Sequence, residues 1–217
     1  GVVSGDGTYN NGETVTLTAT PNEGYIFVNW TENGEEVTAE TEFTFVITED
    51  RSFVANFIAI YDVTLSINIE GSGSVTGDGT YSNGSTVTVV ATANEGYAFV
   101  SWTEDGEFVS TEAEYSFVIT EDVELQANFI ETYDVALSVN IEDSGVITGD
   151  GTYNNGETVT ITATANEGYI FVNWTEDGEV VSAESEYSFV ITGDMELVAN
   201  FVEVEGVDEQ YAQTLSL

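Results

Sequence analysis

Carboxylates are the side chains in this chain best suited to acid–base chemistry or to binding a metal ion. Its 217 residues include 40 Asp and Glu and a single basic residue, Arg51, and there is no His, Cys or Lys. Thiolate and imidazole metal sites, Ser-His and Cys-His nucleophile pairs and Lys Schiff bases are therefore excluded. Two kinds of site remain: a glycosidase-like carboxylate pair, or oxygen ligands for calcium.

The calcium candidates are the aspartates of three Gly-Asp-Gly tripeptides, Asp6, Asp78 and Asp150. Asp6, Thr8 and Asn10 have the spacing of the first three ligands of an EF-hand loop. The match then fails, because the loop glycine comes one position late and Leu17 stands where an EF-hand has Glu. Gly-Asp-Gly is also typical of a tight turn with positive φ, and we prefer that interpretation. Calcium is the one cofactor that we keep as an alternative.

Aromatic side chains are the candidates for binding a glycan or a protein. Tyr9, Tyr81 and Tyr153 are flanked by Gly and Asn, so we expect them to be the most exposed aromatic residues. The other tyrosines and the tryptophans alternate with polar residues, which is more typical of a core. An enzyme is not expected, because a catalytic carboxylate pair would recur in modules too small for a deep cleft.

Net charge limits the partners of this chain. A formal charge of -39 repels nucleic acid phosphates and anionic lipid headgroups, since almost no basic side chain can replace their counterions. We expect neither a nucleic acid partner nor membrane insertion. Self-repulsion also predicts that stability rises with ionic strength or with divalent cations.

Three copies of one module account for almost the whole chain. Trp30, Trp102 and Trp174 are each 72 residues apart, and the Gly-Asp-Gly tripeptides keep the same spacing. Units of this length fold as individual beads, unlike the shorter units of solenoids. We expect repeats at 1–59, 60–131 and 132–203, followed by an acidic linker or tail at 204–217.

Apolar and polar residues alternate along each copy, which predicts β-strands. In the second copy Val63, Leu65, Ile67 and Ile69 alternate with polar residues, and the segment around Val89 does the same. Turns between strands are predicted at Asp105-Gly106 and Glu121-Asp122. The fold class is therefore all-β, with about five or six strands per module. The predicted core of the second copy consists of Leu65, Ile67, Val89, Phe99, Trp102, Phe117, Leu125 and Phe129.

The first copy lacks its first strand in this chain, because Gly1 aligns with Gly73. A fragment boundary through a longer repeat array would explain this. Alternatively, another subunit supplies the strand and builds a filament, with 204–217 as the candidate donor. The copies are joined by about five residues, too few and too apolar for a free tether, which predicts a semi-rigid rod.

Two known groups of proteins resemble this pattern. The runs Gly79–Thr88 and Ala91–Trp102 and the closing Ala-Asn-Phe at 127–129 resemble the divergent internalin-type B-repeat family. The resemblance implies a small β-rich, β-grasp-like module of bacterial surface proteins, without catalytic residues. The end of the chain, closing in Thr-Leu-Ser-Leu, is similar to the linker before the sorting domain of Bacteroidetes type IX secretion substrates. The diagnostic Tyr-Pro-Asn-Pro of that domain is not in this chain.

These observations predict a non-enzymatic stalk or adhesive segment of a bacterial surface protein, located outside the cell. A filament subunit and a glycan- or protein-binding module are the alternatives. The expected partners are other copies of the chain, neighbouring repeats, a glycan or a surface protein.

Overall fold

The computed structural model describes residues 1–204, and in that range it contains strands and no helix. The all-β prediction is confirmed. The predicted linker or tail falls outside the described residues apart from Val204. No helix in the described range has the length and apolar character needed to cross a membrane.

Each copy is built from short strands joined by tight turns. The strands of the first copy are β1 (Val2–Ser4), β2 (Thr14–Thr20), β3 (Tyr25–Glu32), β4 (Glu35–Thr38) and β5 (Glu42–Val46). A long strand, β6 (Phe53–Ile67), ends the first copy and begins the second. The second continues with β7 (Gly73–Thr76), β8 (Gly79–Ser82), β9 (Thr86–Ala93), β10 (Tyr97–Glu104), β11 (Glu107–Ser110) and β12 (Glu114–Val118).

The third copy repeats this order. The long strand β13 (Val123–Val139) ends the second copy and begins the third. It is followed by β14 (Gly145–Thr148), β15 (Gly151–Asn154), β16 (Thr158–Ala165), β17 (Tyr169–Glu176), β18 (Glu179–Ser182), β19 (Glu186–Val190) and β20 (Met195–Glu203). The short strands β7, β8 and β11 and their equivalents bring the second and third copies to eight strands each, above the five or six expected from alternation.

The described chain divides into two compact units, one comprising 1–68, 74–92 and 100–128, the other comprising 69–73, 93–99 and the residues from 129 onward. In the first unit β2 lies between β1 and β5, and β3 pairs antiparallel with β4 and with the first part of β6. The second part of β6 pairs antiparallel with β8 and parallel with β13.

The second unit has the same arrangement. The strand β16 lies between β14 and β19, and β17 pairs antiparallel with β18 and β20. The strand β13 pairs antiparallel with β15 and, from Val135 to Val139, parallel with β20. The first and last strands of a complete repeat are therefore parallel neighbours.

Hairpin turns lie where the sequence predicts them. The turn at Asp105-Gly106 joins β10 to β11, and both residues have positive φ, 50° and 83°. This conformation suits the right-handed twist of the two strands, and the Asp-Gly dipeptide favours it. Asp177-Gly178 makes the equivalent turn in the third copy, with the same pair of positive φ angles, 50° and 85°.

The inward faces of the strands form a core that recurs in each copy. In the third copy it is centred on Trp174, Phe201 and Ile161, all fully buried. Of the predicted core of the second copy, four residues are buried and four are half-buried. The buried ones are Val89, Trp102, Leu125 and Phe129, and the half-buried ones are Leu65, Ile67, Phe99 and Phe117.

Candidate functional site

In the second and third copies the Gly-Asp-Gly tripeptides lie where the chain passes from one short strand to the next. Asp6, Asp78 and Asp150 are exposed, and the glycines on both sides have positive φ. At Gly77 the angle is 105°, and a Cβ there would stand 2.4 Å from the carbonyl oxygen of Thr88. Glycine is required on both counts, which supports the turn interpretation. Residues 1–204 contain no cluster of three or more Asp, Glu, His or Cys that could hold a metal ion.

The predicted binding tyrosines have a structural contact in every copy. Tyr81 donates a hydrogen bond from its hydroxyl to the carbonyl oxygen of Gly77 at 3.0 Å. Tyr9 and Tyr153 do the same, to Gly5 at 2.7 Å and to Gly149 at 2.9 Å. These bonds tie each ring to the Gly-Asp-Gly turn. Tyr81 and Tyr153 are half-buried, so only part of each ring could contact a ligand.

Arg51, the only basic residue, lies at the open edge of the first copy. Its guanidinium pairs with the carboxylate of Glu32 and lies over the rings of Phe53 and Phe45, 4.8 and 5.3 Å from their centroids. Hydrogen bonding to Arg51 holds the pKa of Glu32 below its ordinary value. The sequence predicts a surface ion pair, and the structure adds contact with two aromatic rings.

A cavity of about 280 Å³ opens into the core of the first copy. Its walls include the core residues Leu17, Trp30, Ile47 and Phe53, with Arg51 at the rim. In the third copy the equivalent core residues pack against Val135, which is buried at the start of the parallel strand. The cavity is therefore the space that the first strand of a complete repeat occupies.

Burial of the surrounding side chains reflects this missing strand. Ile119 and Ile191, the equivalents of Ile47, are fully buried, whereas Ile47 is half-buried. Phe53 and Phe57 are likewise half-buried, although the equivalent side chains in the third copy are buried. The gap in the core that the sequence predicts is present.

Polar groups that would hold the missing strand are also in place. In the second copy the backbone N–H of Asp62 donates to the carboxylate of Asp122 at 2.9 Å. In the third copy the N–H of Asp134 donates to Asp194 at the same distance. Asp50 has the equivalent position in the first copy. Residues 7–10, equivalent to β8, are not a strand, because the strand with which they would pair is absent.

Two equivalent surface cavities present carboxylates and were not predicted from the sequence. Asp105 and Glu124 line one of about 290 Å³ in the second copy, and Asp177 and Glu196 line one of about 340 Å³ in the third. Both cavities are open to solvent and lie beside a hairpin turn. No spacing rule signals them, because one carboxylate lies in a hairpin turn and the other on the last strand of the repeat.

Outward-facing valines are a second feature that sequence reasoning missed. Val28, Val100 and Val172 occupy equivalent positions and are 43, 45 and 40% exposed. Register shifts lie beside Val28 and Val172, in the middle of an apolar run. A repeated apolar position on an acidic surface is where contact with a partner would bury area.

Comparison with known proteins identifies the repeat. The family model described as Divergent InlB B-repeat domain matches residues 1–61, 63–132 and 135–205. No curated protein matches the chain. Among solved structures, the minor pilin GBS52 of Streptococcus agalactiae matches with 9% sequence identity over 60% of this chain and 67% of the pilin, at a TM-score of 0.20. The family matches confirm the resemblance seen in the sequence. With three tandem copies, the chain belongs to the divergent InlB B-repeat family of bacterial surface-protein repeats.

Proposed function

We propose that this chain is a non-enzymatic segment of an extracellular bacterial surface protein, in which it acts as a stalk or adhesive spacer. The observation that carries the proposal is the continuity of β6, which leaves the first copy at Phe57 and enters the second at Val63 without a break. Strand hydrogen bonds fix both of its parts, to β3 and to β13. A joint of this kind lacks the freedom of a Gly/Ser linker.

Recurring features of the repeats support a structural role. The positions shared by the complete copies include the buried Trp, the turn glycines, and the Asp that accepts from the first strand. Each of these groups stabilises the module itself. Family membership supports an extracellular location, and the acidic surface favours solubility and mutual repulsion there.

Small-angle X-ray scattering of the whole chain tests the stalk proposal. A compact protein of this length has a radius of gyration of about 17 Å, and we expect a clearly larger value with a maximum dimension typical of beads in a row. A radius near that of a compact protein would contradict the proposal. The measurement belongs at high salt, so that charge repulsion does not extend the particle by itself.

Absence of catalysis is tested at the two carboxylate cavities. We expect no hydrolysis of a panel of aryl glycosides by the wild-type chain. Turnover that is lost in Asp105→Asn/Asp177→Asn, but not in Glu107→Gln/Glu179→Gln, would overturn the non-enzymatic assignment. The control pair lies on the neighbouring hairpin strands and changes the net charge equally.

An adhesive role is the second candidate, and the repeated exposed valines favour it. A surface built for binding should lose retention on a glycan or protein partner when Val28, Val100 and Val172 are all changed to Asp. Changing Thr16, Thr88 and Thr160 to Asp adds the same charge on exposed strand positions and serves as the control. Equal retention of both variants would point away from the valines and towards Tyr81 and its equivalents, which Tyr81→Ala tests.

A further inference from the structure

The open groove of the first copy has the shape of a site for one more β-strand. In the second copy that site is filled by residues Val63–Ile67, which pair parallel with Val123–Ala127 and direct Val63, Leu65 and Ile67 towards the core. In the third copy Val135–Val139 fill it in the same way. The chain therefore shows twice what the occupant is: an extended apolar strand that enters parallel to the last strand of the repeat.

The last seven residues of the sequence have the pattern of this occupant. Residues 61–67 read Tyr-Asp-Val-Thr-Leu-Ser-Ile, and residues 211–217 read Tyr-Ala-Gln-Thr-Leu-Ser-Leu. Four of the seven positions are identical, and the last position exchanges Ile for Leu. The segment lies outside the described residues. We propose that Tyr211–Leu217 of a second copy of this chain inserts into the groove of the first repeat.

The one inward position at which the tail is polar is matched by a change in the groove. In the parallel ladders Val63 lies opposite Val123, and Val135 lies opposite Met195. With the tail in the same register, Gln213 stands opposite Arg51. Where the second and third copies pair two apolar residues, this pair would consist of two polar ones. The side-chain amide oxygen of Gln213 can accept a hydrogen bond from the guanidinium of Arg51.

Charge also favours this segment. Residues 211–217 contain no acidic side chain in a chain that carries 40 of them. Placing an uncharged strand against Phe53–Phe57 adds no repulsion at the edge, and Asp50 can accept the N–H of residue 212 as Asp122 accepts that of Asp62. The complex would bury Leu215 and Leu217 where Leu65 and Ile67 pack in the second copy.

The order of donation along the chain favours a second copy over the same one. Each donor strand follows the last strand of one repeat and completes the next: residues 63–67 follow Phe57 and complete the second copy, and residues 135–139 follow Phe129 and complete the third. The tail follows Phe201 in the same order, and in the proposed complex it completes the first repeat of a second copy. Such a head-to-tail interface is heterologous, and it generates filaments when the rotation between successive copies does not close a ring.

Sedimentation velocity of the full chain tests the proposal, with Leu215→Asp as the groove-facing variant and Thr214→Asp as its matched control. Both add one negative charge to the same strand, but only position 215 faces the core. At about 0.5 M NaCl, where the screening length is about 4 Å, the wild type and Thr214→Asp should form concentration-dependent oligomers. Leu215→Asp should weaken association by about tenfold or more, because a carboxylate would be buried.

A compensating pair tests the register from both sides. Arg51→Val alone should weaken assembly, since Gln213 then faces an apolar wall, and Arg51→Val with Gln213→Val should restore it by recreating the pair of the second copy. Thermal melts of each variant establish that the repeats remain folded. If Leu215→Asp and Thr214→Asp weaken association of the chains to the same degree, the proposed register is wrong.

Two further outcomes would also overturn the proposal. In the first, the wild-type chain stays monomeric at every salt and protein concentration, and hydrogen exchange of the Phe53–Phe57 amides is as fast as in Leu215→Asp. In the second, the wild-type chain is also monomeric, but its Phe53–Phe57 amides exchange more slowly than those of Leu215→Asp. The tail would then bind the groove of its own molecule. Electron microscopy of the assembled wild type should show filaments.

Discussion

Two independent constraints require glycine at the first position of each Gly-Asp-Gly tripeptide. Gly5, Gly77 and Gly149 all have φ near 100°, and in each case a Cβ would meet a carbonyl oxygen of the neighbouring strand within 3 Å. Some other residues tolerate a left-handed conformation alone. A clash between a Cβ atom and a backbone carbonyl, however, cannot be relieved by a change of side-chain rotamer.

Gly77→Ala should therefore destabilise the second copy by roughly 2–4 kcal/mol. Gly84→Ala is the control, because its φ is 81° and a Cβ there would meet nothing within 4 Å. Its cost should be only about 1 kcal/mol, from the backbone conformation. Urea unfolding of both variants measures the difference, and equal losses would show that the contact with Thr88 relaxes without cost.

The Arg51–Glu32 pair predicts a pH dependence confined to the first copy. Because Arg51 lowers the pKa of Glu32, the pair stabilises the folded state above the ordinary pKa of Glu. This contribution is lost as the pH falls through the lowered pKa. The variant Arg51→Met carries the residue found at the equivalent position of the third copy, Met195. In this variant the Glu32 carboxyl should titrate at a higher pH than in the wild type. Carbon-detected NMR titration of that carboxyl measures the shift, and an unchanged titration would show that the pair does not persist in solution.

At the scale of the strand, an aspartate fixes the start of each parallel ladder. Asp122 accepts the N–H of Asp62, and the hydroxyl of Thr80 in turn donates to the Asp62 carboxylate. Asp194, Asp134 and Thr152 repeat this arrangement in the third copy. The first strand enters the sheet between these groups, and their hydrogen bonds help to fix its register.

Asp122→Ala should cost about 1 kcal/mol, because the N–H of Asp62 loses its acceptor on the protein. Asp50→Ala is the matched control, because the first copy has no first strand whose N–H Asp50 could accept. In the unassembled chain this substitution should cost little stability. Hydrogen exchange followed by mass spectrometry can assign the effects to their repeats. Equal losses would mean that these carboxylates act through surface charge and not through this hydrogen bond.

Sequence pattern predicted the strands that alternate and the turns that carry Asp-Gly, but not how the strands pair. The strand containing Val63, Leu65 and Ile67 is as the alternation predicts. Its parallel pairing with Val123–Ala127 was not predictable, because apolar alternation fixes which face is buried and leaves the partner open.

The candidate sites were predicted to a smaller extent. The incomplete first copy followed from the repeat alignment, and its cavity is present. Tyr81 was expected to be exposed because of its Gly and Asn neighbours, but its hydroxyl bond to Gly77 ties it down. The exposure of Val28 and Val172 was not predicted either, and the register shifts beside them have no signal in the order of apolar residues.

At the scale of the molecule, the charge of -39 dominates the response to solvent. Forty carboxylates with one counter-charge repel one another in the folded state, and salt screens that repulsion. We expect the melting temperature to rise steadily with NaCl. A melting temperature that is unchanged or falls with added NaCl would contradict this view.

Calcium and magnesium chloride at equal ionic strength separate screening from specific binding. Equal stabilisation by the two salts is the expected result if the Gly-Asp-Gly turns are structural only. A larger effect of calcium that disappears in Asp6→Asn/Asp78→Asn/Asp150→Asn would support the calcium alternative at those turns.

Parallel pairing of the first and last strands of a repeat decides how the chain responds when its ends are pulled. In the second copy tension acts on Val63–Ile67 towards its amino end and on Val123–Ala127 towards its carboxyl end. Neighbours that run in the same direction are then loaded in shear, so all the hydrogen bonds of the ladder must break together. The third copy has the same mechanical clamp. The first copy has none until a strand fills its groove, and it is there that a pulled chain would first extend.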